Sequence, residues 1–234
     1  MVKFGLVLGA WTIGVVGGSG YLHHKLYGVV NPFQIALSFF LAQNLVVCTW
    51  EWGLGLHIKE MKKVKEELLD QYRDKGGKMG VSLGYFTQDV KIADLFRPLK
   101  FWAGSSAKRL WATYAMYDPS YQSQESFGFF VDVGNGITTF LPSLLWLVAM
   151  TRDGGMITPQ WLGIVGVASY WQELYGTLVY WLSYVYNKRW RGQGLGEQLA
   201  FVLGANGIWV LFPAIGLYVS SRLINDASFA VLRK

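Results

Sequence analysis

Three acidic residues lie within long apolar stretches of the sequence, namely Glu51, Asp132 and Glu173. An ionised side chain at the centre of a membrane costs at least about 2.5 kcal/mol, so an acid that is retained there is a candidate for function. Two carboxyl groups, one protonated and one ionised, can add a proton to one carbon atom and remove a proton from another. These residues therefore point to acid–base chemistry on an apolar substrate.

Neutral polar residues in the same stretches extend the candidate site. Asn135 follows Asp132 by three positions, and Trp209 follows Asn206 by three, so the members of each pair share one face of a helix. An aromatic ring such as that of Trp209 can stabilise a carbocation formed between the two proton transfers. This chemistry requires no metal and no nucleotide, and we predict no cofactor.

Each of these residues also has a purely structural interpretation. Glu51 is compatible with snorkelling to the membrane surface, and Asp132 with capping the start of a helix. Glu173 is compatible with a carboxylate that is bonded to a tyrosine or tryptophan of a neighbouring helix. Asn206 is compatible with a hydrogen bond that joins two helices.

Five apolar stretches must position these side chains: residues 4–22, 32–56, 127–151, 159–187 and 199–221. Each reaches the roughly 20 residues that a helix needs to cross a bilayer. Hydrophobic residues make up 52% of the sequence and charged residues 15%, which excludes intrinsic disorder. We predict one all-α domain, a polytopic bundle of five transmembrane helices. The first stretch is alternatively a cleaved signal sequence.

The numbers of cysteine and histidine residues exclude two further classes of protein. One cysteine excludes a disulfide scaffold, and three histidines with that one cysteine argue against a structural zinc site.

Basic residues are distributed unevenly around the five stretches, with sixteen on the side of the N-terminus and five on the other. The positive-inside rule then places the N-terminus in the cytoplasm, next to anionic lipid rather than nucleic acid.

Residues 57–126 form a juxtamembrane, cytoplasmic insertion between the second and third predicted helices. Lys59–Lys75 is typical of a charged surface helix that ends at Gly76 and Gly77. Further on, apolar residues alternate with Lys91, Arg97 and Lys100, which is typical of a helix lying on the membrane. A solvated charged hairpin fits the insertion equally well.

Three motifs in this chain resemble the emopamil-binding protein family, which carries the EXPERA domain. Residues 171–180 read WQELYGTLVY, close to the family pattern Q-E-[IL]-Y-G-x-x-x-Y. Residues 206–213 read NGIWVLFP, similar to N-x-x-W-x-x-x-P, and residues 111–121 read WATYAMYDPSY, similar to W-x-x-Y…D-x-x-Y. The likeness covers roughly three quarters of the chain, with residues 59–108 largely outside it. It implies a sterol Δ8–Δ7 isomerase or a sigma-two receptor scaffold.

The resemblance assigns roles residue by residue. It implies that Glu51 and Asp132 are the acid–base pair, and that Asn135 and Asn206 position the pair or the polar end of the substrate. Trp209 then faces the cationic intermediate, while Glu173 and Tyr175 complete the substrate-binding set. Asp132 stands where the family has a glutamate, Asn135 where the isomerase has a threonine, and Val47 where it has a histidine.

We therefore predict a cofactor-independent isomerase of a sterol or related polycyclic isoprenoid. The alternative is a non-catalytic sterol- or lipid-binding membrane protein of the same fold, which the missing histidine favours. The predicted partners are the isoprenoid and membrane lipids, with a homodimer left open and nucleic acid excluded. The resemblance implies the endoplasmic reticulum if the source is eukaryotic.

Overall fold

The computed structural model describes residues 1–73, 76–152 and 155–234, and nearly all of them are helical. In chain order the elements are β1 (Val2–Lys3), α1 (Phe4–Tyr27), α2 (Pro32–Tyr72), α3 (Gly77–Thr87), β2 (Asp89–Val90), α4 (Ile92–Leu95), a π-helix (Pro98–Ser106), α5 (Ala107–Tyr114), a 3-10 turn (Pro119–Gln122), α6 (Phe127–Thr151), α7 (Pro159–Tyr186), α8 (Leu195–Glu197), a second π-helix (Gln198–Gly204), α9 (Ala205–Asp226) and a last 3-10 turn (Phe229–Leu232). The strands β1 and β2 pair over two residues only. The predicted all-α class is confirmed.

Four helical segments of the described chain are long and apolar enough to cross a membrane: Phe4–Tyr27, Pro32–Tyr72, Phe127–Thr151 and Leu195–Asp226. The protein is therefore membrane-embedded, as predicted. Helix α7, which covers the predicted fourth span, is not among these segments. Its tyrosines and tryptophans, together with Gln172 and Glu173, lower its mean hydropathy.

Helix α6 has an apolar face that is exposed and an opposite face that is buried, as expected of a helix in contact with lipid. Leu141, Leu144 and Val148 are exposed on one side of the helix, whereas Ser143 and Trp146 on the other side are buried. A soluble protein shows the opposite distribution, with its apolar face turned inward. The polar face of α6 is thus satisfied inside the protein while the apolar face is left for lipid.

The chain forms two compact units. The first comprises Met1–Gly9, Val46–Ile137 and Val179–Asn206, and the second comprises Ala10–Leu45, Thr138–Leu178 and Gly207–Lys234. Each unit has its own buried core. The core of the first is rich in aromatic residues, including Phe4, Trp50, Tyr85, Trp111 and Tyr121. The core of the second includes Leu37, Phe40, Trp146, Tyr170 and Val219.

Helix α2 does not end where the predicted second span ends. It bends at His57, whose backbone leaves the helical region (φ −124°, ψ 15°), and then continues to Tyr72. The expected separate helix from Lys59 is therefore the second half of α2, and Lys75 lies outside the described residues. Met61 and Leu68 on this half are buried, which explains why the charged segment stays helical beyond the apolar one.

The predicted interfacial helix around residues 91–102 is also divided. Helix α4 stops at Leu95, and a π-helix begins at Pro98. Proline lacks a backbone N–H and disfavours helical geometry at the residue before it, so Pro98 favours a break after Arg97. Ile92, Phe96 and Leu99 remain exposed on this segment.

A buried ion pair in the first unit connects the turn before α6 to the end of α7. The Arg189 guanidinium donates from Nη1 to both carboxylate oxygens of Asp118, at 3.0 and 2.8 Å. Asp118 is fully buried and its side chain also accepts the backbone N–H of Ser120 at 2.9 Å. The guanidinium lies against the rings of Tyr180 and Tyr184. Removing one partner leaves the other charge buried without compensation.

We expect Asp118→Asn to lower the free energy of unfolding by about 3–5 kcal/mol, because Arg189 loses its counter-charge in a buried environment. Denaturation of the purified protein in detergent would measure this effect. The matched control is Asp70→Asn, because the Asp70–Arg73 pair is largely exposed and should contribute less than about 1 kcal/mol. Equal losses in both variants would contradict the account.

Candidate functional site

The Glu51 carboxylate is buried in the first unit and held by Asn135. The Asn135 side-chain amide donates to both carboxylate oxygens of Glu51, each at 3.0 Å. Glu51 is only 3% exposed, so it does not snorkel to the surface. This contact brings together two residues of the predicted site, one from α2 and one from α6.

The close approach of α2 and α6 depends on Gly136. A Cβ atom at this position would lie 2.8 Å from the Glu51 Cβ and 3.0 Å from the Cys48 carbonyl oxygen. The Trp52 indole N–H donates to the Gly136 carbonyl at 2.8 Å and ties the two helices at the same level. Glycine beside Asn135 thus allows the amide to reach Glu51.

Asp132 lies one helical turn before Asn135 on α6, with its side chain beside Tyr121. Burial raises the pKa of the Tyr121 phenol well above its usual value, and the nearby Asp132 carboxylate adds to the shift. The phenol therefore stays protonated and can donate a hydrogen bond to Asp132. The capping interpretation of Asp132 is wrong, because the start of α6 is capped by Ser126, whose hydroxyl accepts the Phe129 N–H at 3.1 Å.

Glu173 belongs to a polar cluster in the second unit that is centred on Asn44. The Asn44 amide nitrogen lies 2.7 Å from Glu173 Oε1, 3.1 Å from Thr139 Oγ1 and 3.0 Å from Ser143 Oγ. Trp209 donates its indole N–H to the Asn44 carbonyl oxygen at 3.3 Å. Asn44 therefore connects two predicted site residues, and the partner of Glu173 is an amide rather than the expected tyrosine or tryptophan.

The remaining predicted residues have other surroundings. Asn206 donates to the Tyr114 hydroxyl at 2.7 Å and to the Val202 carbonyl at 2.9 Å, which matches the structural interpretation of this residue. Tyr175 is 53% exposed and stacks on Trp171. A substrate-binding role for Tyr175 would therefore act at the outer surface of α7.

The position at which the family isomerase has a histidine is occupied by Val47 in this chain. Val47 is half-buried and packs against the core of the first unit, so no imidazole stands four residues before Glu51. His57 lies at the bend of α2, with its Nδ1 3.3 Å from Glu60 Oε1. Glu60 Oε2 also accepts a hydrogen bond from Lys108 Nζ at 2.6 Å.

The sequence carries a signal for several further residues of these clusters. Thr139 and Ser143 continue the face of Asp132 and Asn135 on α6 at helical spacing. Tyr121 is the last residue of the 111–121 motif. The Asp118–Arg189 pair had no such signal, because its two members are far apart in the chain.

Chemically, the first unit holds groups that are able to take part in proton transfer. Glu51 on α2 is a carboxylate whose oxygens accept hydrogen bonds from Asn135, and Asp132, one turn before Asn135 on α6, lies beside the protonated Tyr121 phenol. Such a set can donate and accept protons at neighbouring atoms of a bound apolar molecule. The aromatic rings of Trp111 and Tyr180 pack against Tyr121.

Comparison of the chain with protein-family models, with characterised proteins and with solved structures finds no significant match. The likeness to the emopamil-binding family rests on the three sequence motifs.

The Glu51–Asn135 contact can be tested by a double-mutant cycle of Glu51→Gln and Asn135→Leu. We expect Asn135→Leu alone to cost about 1–3 kcal/mol of unfolding free energy, because a buried carboxylate loses its donor. The cycle should give a coupling energy of about 0.5–3 kcal/mol. Asn187→Leu, at an exposed position, should change stability by less than about 0.5 kcal/mol. Additive effects of the two changes would show that the pair does not interact.

Proposed function

We propose that the protein is a cofactor-independent isomerase that shifts a C=C bond in a sterol or related polycyclic isoprenoid. The observation that carries this proposal is the placement of two acids in the first unit. Glu51 is held by Asn135, and Asp132 lies one turn earlier on the same face of α6. A lipid substrate would reach such a site from the membrane, without leaving an apolar environment.

The proposed reaction has two proton transfers. Asp132, in its carboxylic acid form, gives its proton to one carbon of the C=C bond, and the other carbon becomes a carbocation. The Glu51 carboxylate then takes a proton from a carbon next to the cation, and the C–H bonding pair forms the new double bond. The substrate gains one proton and loses one, so no oxidant or reductant is needed. A proton returns from Glu51 to Asp132 before the next turnover.

We assign the acceptor role to Glu51 because Asn135 donates to both of its oxygens, which suits an ionised carboxylate. This assignment of Glu51 leaves Asp132 as the proton donor, and the Tyr121 hydroxyl beside it sets its position. We assign Asn206 to structure, because Tyr114 and its own helix take its amide hydrogens.

We also propose that α7 is a fifth membrane span. Its 28 residues exceed the roughly 20 needed to cross a bilayer. Ile164, Leu178, Leu182 and Val185 are exposed along its outer side, while Glu173 is buried on the other. This arrangement is the one expected of a helix with lipid on one side and protein on the other.

A binding protein without catalysis is the second candidate, and Val47 favours it. The family isomerase has a histidine at this position, and a valine cannot carry a proton. In this case Glu51 and Asn135 would bind the polar group of a lipid instead of moving protons.

The isomerase proposal predicts conversion of a Δ8-sterol by the intact protein in a host that lacks its own isomerase. Asp132→Asn and Glu51→Gln should each lower the rate by about 10²–10⁴-fold, the range expected when a general acid or base is lost. Product formation is measured by mass spectrometry of the sterol fraction.

Asp89→Asn is the matched control, because Asp89 is an exposed residue paired with Lys3. It should leave the rate unchanged. Folded protein that binds a labelled sterol without forming product would favour the binding protein. Product formation that persists in both acid variants would contradict the assigned acid–base pair.

A further inference from the structure

Two neighbouring cavities lie in the first unit, beside the charged half of α2. One has a volume of about 350 Å³ and the other about 620 Å³. Gln88, Phe101, Ser105 and Lys108 line both, so the cavities adjoin one another. Neither is lined by Glu51 or Asp132, so they are separate from the proposed catalytic residues.

The smaller cavity is lined by an arginine, Arg109, that has no counter-charge among the described residues. Arg109 donates to the Tyr72 hydroxyl at 3.2 Å, while its buried Nε has no hydrogen-bond partner in the ranges that the structure describes. No carboxylate in the described part of the chain forms an ion pair with it. Glu67 is the acid on this cavity, and its recorded partner is Lys63 at 3.9 Å. A buried N–H donor on a cation calls for an acceptor with negative charge.

The larger cavity carries a similar excess of positive charge. Its two acids are already paired with cations that do not line it, Asp89 with Lys3 at 2.8 Å and Asp94 with Arg97 at 3.4 Å. Lys91 and Lys100 line the cavity, and across the described ranges neither has an ion-pair partner. Lys108, which lines both cavities, is held by Glu60 at 2.6 Å.

The wall of the larger cavity also presents exposed apolar side chains. Leu99 lines the cavity and is 73% exposed, and Phe96, a few residues earlier, is 81% exposed. These residues alternate with Arg97 and Lys100 in the sequence. Apolar side chains that stand among basic ones are typical of a segment that inserts into the headgroup region of a membrane.

His57 shows where the larger cavity lies along helix α2. His57 lines the larger cavity and directly follows the apolar half of α2, which ends at Leu56. The cavity therefore adjoins the end of the apolar part of α2, where we expect the helix to leave the hydrocarbon core. Phosphate groups of lipids lie at this level of a bilayer.

We propose that these two cavities form a binding site for the headgroup of an anionic phospholipid. Arg109 and Lys108 contact its phosphate, Lys91 and Lys100 add the attraction for its negative charge, and the acyl chains lie along Phe96 and Leu99. The site is independent of the proposed isomerase activity, because it uses none of the acid–base residues.

The test measures the affinity of the purified full-length protein, in a nonionic detergent, for a fluorescent short-chain phosphatidylglycerol and for the matching phosphatidylcholine. Phosphatidylglycerol should bind more tightly. Arg109→Gln and Lys100→Gln should each weaken its binding about fivefold, since each basic side chain near the surface contributes about that factor. Lys100 is exposed, so its variant keeps the test valid if Arg109→Gln fails to fold.

Lys63→Gln is the control, because Lys63 is exposed on the same half of α2 and lines neither cavity. It should leave the dissociation constant unchanged. Displacement of the lipid by inorganic phosphate would show that the phosphate group alone is recognised, whereas lack of displacement would show that the acyl chains are needed as well. Equal affinity for the two lipids, or cavity variants that bind like Lys63→Gln, would overturn the proposal.

Discussion

Buried polar side chains that must find partners inside the protein are the constraint on which this structure depends. Water is absent from the hydrocarbon core of a membrane, so an amide or carboxylate there is stable only when another side chain binds it. Two asparagines meet this need. Asn135 binds Glu51 in the first unit, and Asn44 binds Glu173, Thr139 and Ser143 in the second. The first contact joins α2 to α6, the second joins α2 to both α6 and α7, and each holds an acid in the interior.

Small residues make such contacts possible. Gly136 allows α2 to approach α6, and Gly53 allows α2 to approach the segment around Ala103 and Ala107, where a Cβ atom would collide with both alanines. Close backbone approach is the usual way in which membrane helices associate, because lipid supplies no hydrophobic force between them. The chemistry proposed for Glu51 thus depends on a neighbouring glycine as much as on the acid itself.

The sequence predicted the all-α class and the bounds of α6 correctly, because continuous apolar runs report directly on membrane helices. It did not predict that α2 continues through His57, since burial of Met61 and Leu68 by distant residues sustains that half. It named Glu51 and Asn135 as candidate site residues, but the contact between them depends on helix packing. The role of Asn44 could not be read from spacing, because its partners come from two other helices.

The central claim is that the Glu51–Asn135 pair and Asp132 act on an apolar lipid inside the first unit. Photolabelling of the reconstituted protein with a diazirine sterol, followed by mass spectrometry of its peptides, tests this claim most directly. The account predicts labels on the peptides that contain Glu51 or Asp132, and their loss when unlabelled sterol is present in excess. Labels confined to exposed faces such as that of Leu141 and Leu144, without competition, would contradict it.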